Sequence, residues 1–190
     1  LSTDKGSFNV SEIYLNDNKL VVLGNDYILE EPENTTFENG TRSQVSVKNY
    51  TVAKSVIYDI TDKANPEKTR EVALEGNYLD SRMIGDNLYL ISRKSVYYYG
   101  EPIDFTVLPI LKDSVGEAEE TKRVECTDII YFEGTEDNSF MLVGGFNIND
   151  NDVLLNSSCV RGVLFYTFII YICHRIREII VFWGVKRFGK

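Results

Sequence analysis

The chain has 190 residues, 43% of them hydrophobic and 12% aromatic, and a formal net charge of -9. That is enough apolar material for one ordinary domain core, which excludes a disordered polymer, while the acidic balance excludes a nucleic-acid surface built on clustered Lys and Arg. Three cysteines, Cys126, Cys159 and Cys173, stand at no metal-ligand spacing, so neither a disulfide framework nor a zinc site is indicated, and the single His174 leaves little scope for histidine chemistry.

In chain order, Ser7 to Leu15 ends in a β-favouring segment, Asn16-Asp17-Asn18 supplies a turn, and Lys19 to Gly24 is a short apolar strand. This predicts a hairpin, with Leu20 to Leu23 covered on both faces. Glu30 to Lys48 is polar and carries Pro32 and Gly40, and reads as a long surface loop. Tyr50 to Lys94 holds four strand-like segments separated by turn chemistry and reads as one blade-like meander. Within it Val56, Tyr58 and Ile60 alternate with Ser55, Ile57 and Asp59, Asp62 to Pro66 breaks the chain, and Val72 and Leu74 resume at period two. Gly76 and Gly85-Asp86-Asn87 mark the later reversals. Tyr97 to Leu111 carries a further strand, Lys112 to Lys122 is an acidic connector, and Cys126 to Phe132 and Ser139 to Ile148 are two more strands.

An internal repeat fits this organisation: IYLNDNKLVVLGN and MIGDNLYLISR share a turn and a Leu-rich strand, with Asp17-Asn18 matching Asp86-Asn87. The segments GSFNVSEIYLNDNKLVVLGN, YDITDKANPEKTREVALEG, SRMIGDNLYLIS, TDIIYF and SFMLVGGFNINDND resemble, in that order, secreted bacterial and archaeal proteins with a C-terminal β-propeller domain distantly related to WD40 repeats. The resemblance runs from about Ser7 to Asp152 and implies a blade array in an exported or membrane-anchored protein. It brings no catalytic motif. A closed propeller needs more four-stranded blades than this length holds, so the expected fold is an all-β β-propeller fragment of about two to three blades. A chain starting at Leu1, with no signal segment, is expected to have lost its natural start.

Three groups of residues carry candidate chemistry, and a fourth is excluded. Asp80-Ser81-Arg82 precedes a strand at the inner part of a blade, where Arg82 has the fork that binds a carboxylate or other anion and Asp80 stands beside it; the alternative is an Arg tied to neighbouring acceptors. Asn147, Asn149, Asp150 and Asp152 cluster the hard oxygen ligands that calcium takes, without the glycine and distal Glu of a calcium loop; the alternative is a solvated turn. Tyr97-Tyr98-Tyr99 offers faces for stacking on sugars, or simply ends a strand. Ser11 and Ser81 have no histidine within the matched region, which excludes a Ser-His-Asp arrangement there.

From Val153 to Lys190 the composition changes: the segment holds one of the 29 acids but six of the 20 basic residues, with the only Trp and His. Its uncharged run, Gly162 to Cys173, is shorter than the roughly 20 residues of a membrane span. The expected organisation is therefore blades over residues 1–152 and an apolar basic tail over 153–190, foreign to the fold or membrane-associated. The expected function is an exported, extracellular or cell-envelope binding or scaffold module for a protein or carbohydrate, without a cofactor unless calcium binds. Rival readings are a calcium-dependent propeller hydrolase and, if the tail is an anchor, a cell-surface protein.

Overall fold

The computed structural model describes residues 8–30, 48–96, 107–115, 121–131, 138–150 and 156–161. In chain order its strands are β1 (Asn9–Asn16), β2 (Lys19–Glu30), β3 (Lys48–Asp59), β4 (Glu67–Glu75), β5 (Asn77–Ile84), β6 (Asn87–Lys94), β7 (Ile110–Asp113), β8 (Lys122–Arg123), β9 (Ile129–Tyr131), β10 (Phe140–Asn147) and β11 (Asn156–Arg161). They form two sheets, ordered β1-β2-β3-β4-β7-β8 and β5-β6-β10-β11-β9. Each contains one four-stranded antiparallel meander, β1 to β4 in the first and β5-β6-β10-β11 in the second.

The stretch from Tyr50 to Lys94 is four consecutive strands, but it is not one blade. Gly76 divides it: β3 and β4 belong to the first sheet, and β5 and β6 to the second. Gly76 has φ +110, and a Cβ there would lie 2.5 Å from the Arg93 backbone, so only glycine makes this step between sheets. A turn within a sheet and a step out of it carry the same punctuation, which is why the sequence pattern does not separate them. Among the expected core positions, Val56, Val72, Leu74, Leu88 and Leu90 are buried, and Tyr58 is half-buried. Val21, Val22 and Leu23 are buried on both faces of β2, as their unbroken apolar run predicts.

The sheets pack face to face. Val21, Leu23, Ile57, Val72 and Leu74 of the first share one core with Leu88, Leu90, Phe140, Leu142 and Phe146 of the second. At the end of this contact Arg70, only 1% exposed, reaches from β4 across the junction. Its guanidinium makes a bidentate pair with Asp113 (3.1 and 2.7 Å), donates to the carbonyls of Asn147 (3.3 Å) and Asp150 (2.7 Å), and lies 4.8 Å over the Phe146 ring.

The two meanders are repeats of one another in detail. Both first strands carry a bulge, at Ser11 and at Leu79. Both first hairpins turn through a positive φ, +49° at Asp17 and +56° at Gly85. Ile60 N–H donates to Asn18 O (2.8 Å) in the first, and Ile148 N–H to Asp86 O (2.9 Å) in the second. Asp59 accepts from Thr61 N–H and Asn147 from Asn149 N–H, both at 2.8 Å. Asp17-Asn18 therefore corresponds to Gly85-Asp86, one residue earlier than the match read from sequence; since a one-residue slip exchanges the two sheet faces, the structural register is the one that keeps the cores in phase.

The segment between β6 and β10 departs from the repeat and covers exposed sheet edges. β7 pairs with β4 and β8 with β7, extending the outer edge of the first sheet. β9 pairs in parallel with β11 on the outer edge of the second. The described part of the Cys126 to Phe132 segment is thus a 3-10 turn, Cys126–Asp128, followed by β9, which pairs with β11 and not with β10. Asn156–Arg161, within the stretch read as a foreign tail, form β11 and pair with β10 along all six residues.

Candidate functional site

Two polar sites stand out, one at the inner edge of the sheets and one at the outer rim. At the inner edge, alternation along β1 puts Glu12 and Tyr14 on the face that meets the second sheet. On β5, Tyr78 and Ser81 are three residues apart and would point to opposite faces of a regular strand. The bulge at Leu79 brings both to the face toward Glu12. The Glu12 carboxylate accepts from Tyr78 OH and from Ser81 Oγ, each at 2.6 Å, and those two hydroxyls lie 2.9 Å apart. Tyr14 OH donates to Ser81 O (3.0 Å), and Tyr78 N–H donates to the side chain of Asn25 (2.7 Å). Burial pushes Glu12 up, but the hydrogen bonds from Ser81, Tyr78 and Tyr14 outweigh it and hold the carboxyl below its usual range. Tyr78 is raised, by burial and by the adjacent carboxylate. The group is a hydrogen-bonded lock between β1 and β5 with a stable anion at its centre.

Asp80 and Arg82 flank this lock on the opposite face of β5, and both are exposed. Asp80 Oδ1 accepts from Ser81 N–H (2.9 Å). By the repeat they occupy the positions of Glu12 and Tyr14 in the first meander. Asn147, Asn149 and Asp150 lie in the turn after β10, where Asn147 Oδ1 is engaged by Asn149 N–H and the carbonyls of Asn147 and Asp150 face the Arg70 guanidinium. Asp152 and Tyr97-Tyr98-Tyr99 lie outside the described residues, as do Cys173 and His174. Among the described residues, no group of three or more His, Cys, Asp or Glu side chains is placed to hold a metal ion.

The rim site was missed by sequence reasoning. Where the β6–β10 segment crosses from one outer edge to the other, it leaves a cavity of about 570 Å³. Leu111, Val124, Leu142 and Cys159 are its buried residues, and Lys122, Thr127, Asp128, Asn156, Ser157 and Ser158 line its exposed parts. Burial pushes the Cys159 thiol up to about 12, so it stays protonated and unreactive. The frame behind the cavity is tied down: Glu75 accepts from Ile110 N–H (2.9 Å) and pairs with Lys94 (2.6 Å), and Arg123 Nη1 donates to Leu108 O (2.5 Å). Burial lowers the Lys94 pKa despite its partner Glu75. No sequence signal joins Lys122 to Asn156; only the parallel pairing of β9 with β11 brings their segments together.

Two four-stranded meanders, packed face to face and meeting through their first strands, are consecutive blades of a β-propeller. The comparison with known families agrees: residues 1–167 match the model described as "Beta propeller domain", and the chain belongs to that family. No curated protein and no solved structure matches the chain.

Proposed function

We propose that the chain is an exported, non-catalytic module whose blades bind a ligand or hold a partner. The observation that carries this reading is the rim cavity, a concave and mainly polar site lined from both sheets. Its size lies within the roughly 300–1,000 Å³ of small-molecule sites. The chemically capable groups near the blade junction are set for structure: the Glu12 carboxylate is occupied by hydroxyl donors, and the Cys159 thiol is held neutral. The export part of the proposal rests on the likeness to secreted propeller proteins. Among the described residues, no helix is long and apolar enough to cross a membrane.

The test has two arms. The purified chain is incubated with ester, phosphoester, peptide and glycoside substrates, with and without calcium; turnover that survives repurification and disappears on substitution of a described residue would sink the non-catalytic reading. Protease treatment of intact and of lysed source cells tests location: digestion of the protein on intact cells is expected, and protection until lysis refutes export to the surface.

A further inference from the structure

We infer that the rim cavity binds a neutral, polyhydroxylated ligand of about saccharide size, an inference that rests on the reading of the chain as a binding module. The ligand class follows from what the lining excludes. Lys122 and Asp128 offset each other, so the lining carries no net charge that would select an anion or a cation. Alternation along β11 puts Ser157 on the face of Cys159 and Leu142, and a purely apolar ligand strips water from the Thr127 and Ser157 hydroxyls without replacing their hydrogen bonds, at about 1–3 kcal/mol for each group left unpaired. A molecule whose groups both donate and accept satisfies all of them. Sugar hydroxyls do so, and the charged ends of Lys122 and Asp128 then give charge-assisted hydrogen bonds to a neutral partner. The buried Leu111, Val124 and Leu142 side chains are aliphatic, matched to the C–H face of a pyranose.

The site is preorganised. Its walls come from two different sheets, yet both are fixed by the β4–β7 and β9–β11 ladders and by the Glu75 contacts behind Ile110. Lys122, Thr127, Asp128 and Ser157 of its lining are exposed.

The test is calorimetric titration of the chain with cellobiose, maltose, lactose and diacetylchitobiose, alongside glucuronate, glucosamine and inorganic phosphate as charged probes. At least one neutral disaccharide is expected to saturate, and the charged probes are expected to bind at least tenfold more weakly. Thr127→Val and Ser157→Val, both at exposed positions and checked for unchanged melting, should each weaken binding about tenfold, the equivalent of one lost hydrogen bond of about 1.4 kcal/mol. Arg82→Ala, at the far edge of the sheet, should leave it unchanged. No binding of any neutral saccharide at about 20 mM, well above the millimolar range where affinity is only about 4 kcal/mol, overturns the inference. So does equal binding of the charged probes, or indifference to both lining substitutions. Product analysis in the same samples separates the two proposals: a disaccharide that binds and is cleaved upholds the site and removes the non-catalytic reading, whereas absence of binding removes the site and leaves the module open to another ligand.

Discussion

Replacing Glu12 by Gln tests the lock between the first strands of the two blades. The carboxylate accepts two 2.6 Å hydrogen bonds, from Tyr78 and Ser81, on a half-buried surface. Hydrogen bonds to a charged acceptor contribute about 1.5–3 kcal/mol each in favourable settings. The two share one oxygen and partial solvent access, and Gln retains one acceptor, so we take about 2 kcal/mol for the pair. For a domain of this size that corresponds to a fall in Tm of about 4–8 °C. The pH dependence fixes the cause. The folded pKa of Glu12 lies below its ordinary value, so its contribution is present above the unfolded pKa near 4.3 and is lost as pH falls through the lower folded value. Calorimetric melting of both proteins from pH 7 to pH 3 should therefore show a Tm gap that is constant down to about pH 5 and closes below about pH 4. A gap of the same size at pH 3 and pH 7 would show that the loss comes from packing of the Gln side chain, and no gap at pH 7 would show that the lock contributes nothing.

Three further substitutions probe the frame. Ser55 Oγ is buried without a hydrogen-bond partner, so Ser55→Ala should raise the urea midpoint by an amount equivalent to about 1 kcal/mol, and a lowered midpoint would contradict this. Arg70→Met removes the cation that pairs with Asp113, a carboxylate 9% exposed that also accepts from Val115 N–H, and should cost about 3–5 kcal/mol in equilibrium unfolding; the double variant Arg70→Met/Asp113→Leu should recover much of it, and no recovery would mean that the carbonyls of Asn147 and Asp150 dominate. Gly76→Ala puts a Cβ 2.5 Å from the Arg93 backbone at φ +110, and should yield little folded protein; a normal melt at wild-type temperature would show that the step between sheets has another solution.

Much of the strand framework was legible because alternation and turn residues are local signals. The β1–β2 hairpin announces itself through Asn16-Asp17-Asn18, and β3 and β4 through period-two apolar residues around Asp62 to Pro66. Sheet membership was not legible. Whether Gly76 turns the chain within a sheet or carries it to the next depends on whether the following strand finds a pairing edge or a packing face, which is a tertiary choice. The repeat was visible in outline and displaced by one residue, because Asp86-Asn87 imitates Asp17-Asn18 in composition while Gly85 takes the conformation of Asp17. Tyr58 to Asp62 and Phe146 to Asp150 are a clearer pair once aligned by hydrogen bonds, YDITD against FNIND.

The same alignment explains why Asp80 and Arg82 drew attention while Glu12 and Tyr14 did not. Asp80 and Arg82 sit next to Ser81 in a polar triplet, whereas Glu12 is a single acid in an otherwise ordinary strand; its role depends on a bulge in a distant strand that turns Tyr78 and Ser81 toward it. The rim cavity is less local still. An unrepeated segment finds its energetic purpose in the exposed edges of β4 and β11, whose unpaired backbone groups it satisfies through β7 and β9. In bridging those two edges it encloses space that neither blade encloses alone. The pairing that protects the fold is thus also what forms the concave surface, and a substitution that loosens β9 from β11 should disturb stability and ligand binding together.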